Sequence, residues 1–228
     1  MKKVNNVQKI KEMNKNLLQY RIALVLPILL LIIFLFSNAL SFTGYYSIKQ
    51  ETDQEKNTFL VDFGEEADKG ISLFDILLGG NGKVEIITSL TTNNASTPKE
   101  EEVLVLCPTV PGLLIVGIAL VAAVVLGTIP FTKNSKINMV QLLLSIVIVV
   151  AAFIFITLKV NELRPEFVEA SRISVLKQIV GTPDYKDFST SVEVGFSYQY
   201  ILLGIALLAD VVIKVIMLLT YRKKASIE

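Results

Sequence analysis

The chain has 228 residues, 52% of them hydrophobic, with a mean hydropathy of +0.58 and a formal net charge of +1. Soluble domains hold about 45 to 50% apolar residues even with glycine counted, so an ordinary water-soluble fold is excluded, and the near-zero charge gives no general attraction to nucleic acid. Histidine is absent and cysteine occurs once, at Cys107, which removes intramolecular disulfides, thiolate metal clusters and His-dependent catalysis, so neither a metal nor a cofactor is expected.

Residues 1–21 set Lys2, Lys3, Lys9, Lys11, Lys15 and Arg21 against the single acid Glu12. Val4, Val7, Ile10, Met13 and Leu17 recur among them at three- and four-residue spacing. This reads as a basic amphipathic helix on an anionic leaflet, where each Lys contributes about 1 kcal/mol, or as an unstructured basic tail. A spanning helix needs roughly 20 mainly apolar residues, and residues 22–42 supply the first such run. Ser37-Asn38-Ala39 also resembles a signal cleavage site. The uncharged stretch 22–48 exceeds the apolar core of a signal, which favours an anchor.

Residues 43–102 carry five lysines against twelve acids, a balance of −7. Residues 58–63 and 83–88 read as strands. Ser72 is placed to cap a short helix reaching Leu78, which the glycines after it end. The acidic, Pro-containing stretch 91–102 reads as a flexible tether, and Asn94-Ala95-Ser96 within it is a glycosylation triplet of the kind that arises by chance in Asn-rich sequence.

The second span is expected over 103–131, with Pro108 and Pro111 placing the start of the helix proper near Pro111. Ala119, Ala123 and Gly127 form a small-residue stripe that admits a close helix, either within one subunit or in a homo-oligomer. A turn at 132–136, with Lys133 and Lys136, leads to a third span over 137–158. There Gln141 and Ser145 are suited to hydrogen-bond another helix, with Asp210 a candidate acceptor. In the second loop, 159–198, Pro165 at a first helical position, the apolar face Phe167, Ala170, Ile173, Leu176 and Val180, and Gly181 as cap predict an amphipathic helix over 165–180. Residues 189–194 add an edge strand to the same small domain.

The last span, 199–221, is the one span with formal charges, Asp210 and Lys214, four apart on one face; the tail 222–228 opens with Arg222, Lys223 and Lys224. Each charge costs about 2.5 to 3.5 kcal/mol at a helix centre and each apolar neighbour returns about 0.3 to 0.6, so the helix inserts with little margin. Three readings stay open: a structural ion pair, recognition of a partner helix, and an ion or proton relay. No other span carries an acid, which favours the first. Lys and Arg cluster in 1–21, 132–136 and 222–228, so these segments and both termini are expected in the cytoplasm and the two loops outside.

The expected fold is an all-α transmembrane four-helix bundle with a small α+β extracellular domain formed by the two outer loops. This order is similar to the claudin-type tetraspan arrangement in topology alone, since the claudin cysteines and tryptophan are absent. The stretch Gly70-Ile71-Ser72-Leu73-Phe74-Asp75-Ile76-Leu77-Leu78-Gly79, with Val194-Gly195-Phe196-Ser197-Tyr198 before the last span, resembles bacterial four-helix (tetraspan) membrane proteins with no known catalytic role. That resemblance implies a bacterial cell membrane protein and names no activity.

Phosphate-binding loops, the Gly-x-Ser-x-Gly elbow and zinc motifs are missing. The sequence therefore favours a non-enzymatic accessory or scaffold subunit that meets the lipid bilayer and a membrane or envelope protein partner, with no nucleic acid. A small transporter or channel using Asp210 is one alternative. A peptide-binding immunity or sensor protein is another, and an exposed apolar groove in the outer loops would favour it.

Overall fold

The computed structural model describes residues 2–51, 56–63, 70–92, 95–130, 132, 134–180 and 187–227; Asn94, Lys133 and Gly181 lie outside them. The chain divides into a helical unit (Met1–Ile33, Gly112–Leu158 and Leu202–Glu228) and a sheet-bearing unit (Phe34–Pro111 and Lys159–Ile201).

Helix α1 (Lys2–Ala23) runs into α2 (Val25–Phe36) through a break at Leu24. Pro27 accounts for the break, because it has no N–H for the Ala23 carbonyl and its ring crowds that oxygen. The basic segment is thus a helix and not a tail. Its Met13 and Leu17 are buried, and Leu17 and Leu24 pack with Leu142, Met217 and Tyr221. The remaining helices of this unit are α4 (Leu113–Leu126), α5 (Ser135–Glu162) and α7 (Tyr198–Ala225), numbered after a short α3 described below.

Three stretches are long and apolar enough to cross a membrane, namely Asn6–Phe36, Ser135–Glu162 and Tyr198–Ala225, while α4 is shorter. Their outward faces are apolar too, since Leu29, Ile33, Leu143, Val147, Ile205 and Leu208 are exposed. A helix hydrophobic all round lies either in a large protein core or in a membrane, and apolar side chains left open on these helices are consistent with a membrane protein.

Two expected spans are cut short. Helix α2 stops at Phe36, and Asn38–Thr43 forms strand β1. Residues 103–106, read as the start of the second span, close strand β6 (Ala95–Leu106). Val103, Val105 and Cys107 are buried while Leu104 and Leu106 are exposed. That period of two belongs to a strand, and an unbroken apolar run conceals it.

The sheet-bearing unit is richer in strands than expected. It holds β1, β2 (Tyr45–Glu51), β3 (Lys56–Asp62), β4 (Gly70–Ser72), α3 (Leu73–Leu78), β5 (Asn81–Thr92), β6, α6 (Arg164–Val175), a π-helical turn at Leu176–Val180, β7 (Asp187–Thr190) and β8 (Glu193–Phe196). One sheet has the order β4-β1-β8 and the other β6-β5-β3-β2-β7, with antiparallel pairing throughout. The strands expected at 58–63 and 83–88 fall in β3 and β5. Ser72 caps α3 by accepting from the Asp75 N–H at 3.1 Å, and Gly79 ends it in the left-handed region at φ 65°.

Where a tether is expected over 91–102, residues 91–92 end β5 and residues 95–102 belong to β6, which pairs to β5 from Thr92↔Ala95 to Asn81↔Leu106. Strand β6 is an edge, where the missing N–H of Pro98 does little harm, and Glu102 meets Lys83 across the ladder at 3.2 Å. The single edge strand expected at 189–194 is two strands in two sheets. At that corner β1 passes into β2 through Gly44 (φ 95°) beside the passage of β7 into β8 through Ser191. The Tyr45 N–H donates to Ser191 Oγ at 3.2 Å, and the Ser191 N–H donates to the Tyr45 carbonyl at 3.1 Å. A Cβ at Gly44 would lie 2.3 Å from the Ser191 carbonyl oxygen, so the crossing needs glycine.

Phe42, Tyr46 and Phe63 form the aromatic centre of this unit, with ring centroids 5.5 to 5.7 Å apart. Tyr46 donates its hydroxyl to the Val168 carbonyl at 3.0 Å and lies 2.6 Å from Ser171 Oγ, which fixes α6 on β2. Burial raises the Tyr46 pKa.

Burial also pushes the Cys107 thiol up from 9.0 to about 12. An unfolded thiol ionises near its ordinary value, so Cys107 favours the folded state below pH 9.0 and loses that contribution as pH climbs towards 12. Iodoacetamide at pH 8 should therefore leave the folded chain unmodified and alkylate Cys107 only in denaturant; rapid alkylation of folded protein would contradict its burial.

Candidate functional site

Helix α4 ends at Leu126, inside an apolar unit, and the last four carbonyls of any helix have no partner within it. Water satisfies such groups at a surface, but in hydrocarbon other protein groups must do so. Local donors serve part of the need: the Gly127 N–H reaches the Ala123 carbonyl at 3.3 Å, and the Thr128 N–H and hydroxyl reach Val125 at 3.0 and 2.7 Å.

Arg21 on α1 donates to the Thr128 carbonyl at 3.4 Å, and the other donors come from α5 and α7. Helix α5 buries Asn138, Gln141, Leu142, Ser145, Val149, Ala152 and Ile156, one stripe at three- and four-residue spacing. Its Ser145 Oγ donates to the Ala123 carbonyl at 2.5 Å, and Gln141 Nε2 donates to the carbonyls of Ile129, at 2.6 Å, and Leu126. Gln141 and Ser145 thus bond the end of α4 and not Asp210. Their acceptors are carbonyls in the last turn of α4 and just past it, and Asp210 is engaged by Lys214.

Helix α7 buries Leu203, Leu207, Asp210, Lys214, Met217 and Tyr221 in a matching stripe. Lys214 Nζ lies 2.7 Å from Asp210 Oδ2, both side chains are 0% exposed, and the same Nζ donates to the Ala123 carbonyl at 3.1 Å. Asp210 Oδ1 is buried with no hydrogen-bond partner among the described residues. The lysine reaches this position by passing over Gly127, where a Cβ would lie 2.1 Å from Lys214 Cε. Ala119, one turn earlier, is half-buried and takes no part in these bonds. Six of the seven residues singled out in the sequence, Ala123, Gly127, Gln141, Ser145, Asp210 and Lys214, therefore converge on the end of α4.

A cation at a helix C-terminus faces the negative end of its dipole, and Asp210 balances that cation within the same stripe. Because the pair is enclosed, neither a partner helix nor solvent reaches it in this conformation. What the arrangement does chemically is hold α4, α5 and α7 in register.

The sheet-bearing unit contains an open groove of about 810 Å³ between β6 and α6. Leu104, Leu106 and Ile173 line it and are 43%, 63% and 39% exposed. At one end Gln178 pairs with both backbone groups of Leu104: the Leu104 N–H donates to Gln178 Oε1 at 3.0 Å, and Gln178 Nε2 donates to the Leu104 carbonyl at 2.8 Å. Sequence reasoning passed over Gln178, and nothing local marks it. On α6, Arg172 bonds Glu169 and lowers the Glu169 carboxyl pKa.

Comparisons of the chain with protein-family models, with curated proteins and with solved structures give no match in any of the three.

Removing one partner of a buried ion pair costs about 3 to 5 kcal/mol, whereas replacing both by apolar residues is often neutral. Thermal unfolding in detergent should therefore show a large loss for Asp210→Leu and recovery of most of it in Asp210→Leu/Lys214→Leu. Gly127→Ala should cost about 1 to 3 kcal/mol by overpacking, and that cost should vanish in a Lys214→Ala background. A harmless Asp210→Leu would remove the structural role.

Proposed function

We propose that this protein is a non-enzymatic multi-pass protein of the bacterial cytoplasmic membrane, a four-helix bundle that carries a recognition domain outside and acts as an accessory subunit for another membrane or envelope polypeptide. The groove between β6 and α6 carries this reading. It leaves apolar side chains open on the non-membrane unit, where an isolated soluble surface would cover them.

Connectivity supports four crossings. The chain leaves the sheet-bearing unit before Gly112 and returns to it at Lys159, so α4 and α5 together make an out-and-back excursion. The 14 residues of α4 rise only about 21 Å, less than a hydrocarbon core. The donors at its end make so short a helix tolerable at membrane depth. The distribution of Lys and Arg supports cytoplasmic termini, and the resemblance of 70–79 and 194–198 to bacterial tetraspan proteins supports the compartment.

The transporter reading is less well supported, because Asp210 and Lys214 neutralise each other and are fully enclosed. Capture of an extracellular peptide uses the same groove as the accessory role and differs from it only in whether the bound segment belongs to a free peptide or to a larger partner.

The orientation is tested with single cysteines in a Cys107→Ala background. Lys83→Cys should react with a membrane-impermeant maleimide in intact cells, and Lys223→Cys only after permeabilisation. The reverse pattern would put the sheet-bearing unit in the cytoplasm and sink the proposal.

A further inference from the structure

We infer that the groove takes an extended, basic segment of a partner polypeptide as an added strand on the outer edge of β6, with Gln178 holding the place of that strand until it arrives. The inference rests on the recognition role proposed above and names the chemistry of what is recognised.

Strand β6 is the last of its sheet, and alternation decides which of its backbone groups are free. The Cys107 N–H turns inward to the Gly80 carbonyl at 2.9 Å, so odd-numbered positions bond towards β5. Even-numbered positions, Glu100, Glu102, Leu104 and Leu106, then direct their N–H and C=O groups outward. Leu104 bears this out, since both of its groups are met by the Gln178 amide. A side-chain amide offering one acceptor and one donor to a single residue imitates a neighbouring strand. Pro98, also even-numbered, blunts the far end of the edge, which leaves 100–106 as the stretch open to pairing.

Strand addition gains affinity from main-chain hydrogen bonds and specificity from alternate side chains. The apolar positions are supplied by exposed Leu104, Leu106 and Ile173. Charge selects the rest: Glu166 in the groove lining and Glu100 further along the same edge are exposed and make no ion pair among the described residues, Glu102 and Glu169 add acid whose partners Lys83 and Arg172 are themselves partly exposed, and against these acids the lining sets one exposed cation, Lys177. Lysines alternating with apolar residues complement this edge. A second copy of β6 would bring its own acids against these and complements it less well.

The test uses the full chain in phosphatidylcholine nanodiscs and a fluorescent eight-residue peptide alternating valine and lysine, read by anisotropy. The peptide should bind, and the same peptide N-methylated throughout should bind about tenfold more weakly for want of main-chain donors; the glutamate-for-lysine peptide should do likewise. Gln178→Ala removes the competitor and should tighten binding severalfold, whereas Leu104→Pro should abolish it, with protection of Cys107 from alkylation reporting that each variant is folded. Equal binding of the N-methylated peptide, or unchanged affinity in Gln178→Ala, would overturn the inference and leave Gln178 as a guard of the edge. If Gln178→Ala does not fold, the N-methylated comparison in the unaltered chain decides alone. A Gln178→Ala chain that doubles its mass without peptide would assign the edge to a second copy. Failure here with outward labelling of Lys83→Cys intact removes strand addition alone; failure of the labelling removes the recognition role itself.

Discussion

A helix that ends in an apolar surrounding must find donors for its last carbonyls, and the helical unit is organised around that requirement at the end of α4. Ala123 accepts from Ser145 on α5 and Lys214 on α7, and Leu126 and Ile129 accept from Gln141. Gln141, Ser145 and Lys214 each answer to a backbone group. Lys214 brings a positive charge into the unit, which requires Asp210, and its stem requires the bare backbone of Gly127. One short helix therefore dictates the chemistry at several positions on three helices.

The sheet-bearing unit meets a different constraint, which is to build one fold from two segments separated by the excursion through α4 and α5. Its solution is the corner at Gly44 and Ser191. There β1–β2 from the first segment and β7–β8 from the second change sheets side by side and bond each other. Tyr46 then ties β2 to α6 of the second segment. An arrangement held from both segments can keep an edge and a groove in fixed relation, as a recognition surface needs.

Local signals in the sequence were legible, and signals that depend on a distant partner were not. The Ser72 cap and the Gly79 stop of α3 are properties of a few adjacent residues and read correctly. Asp210 and Lys214 were legible as a pair because helix geometry alone brings positions four apart together. Strand β6 was hidden twice: its acidic half has the composition of a tether, and its apolar half merges with the following span. The partners of Gln141 and Ser145 are backbone carbonyls, and no residue type announces where a helix will stop. Gln178 and Leu104 are 74 positions apart, joined only once β6 exists as an edge.

The Ala123 carbonyl is the point on which this account of the helical unit turns, and its vibration reports its hydrogen bonds. In protein carrying a ¹³C=¹⁸O label at Ala123 alone, the isolated amide I band should lie below that of the same label at Ala119, and it should move up in both Ser145→Ala and Lys214→Leu/Asp210→Leu. An Ala123 band coincident with that of Ala119 and indifferent to both changes would mean that α5 and α7 do not cap α4.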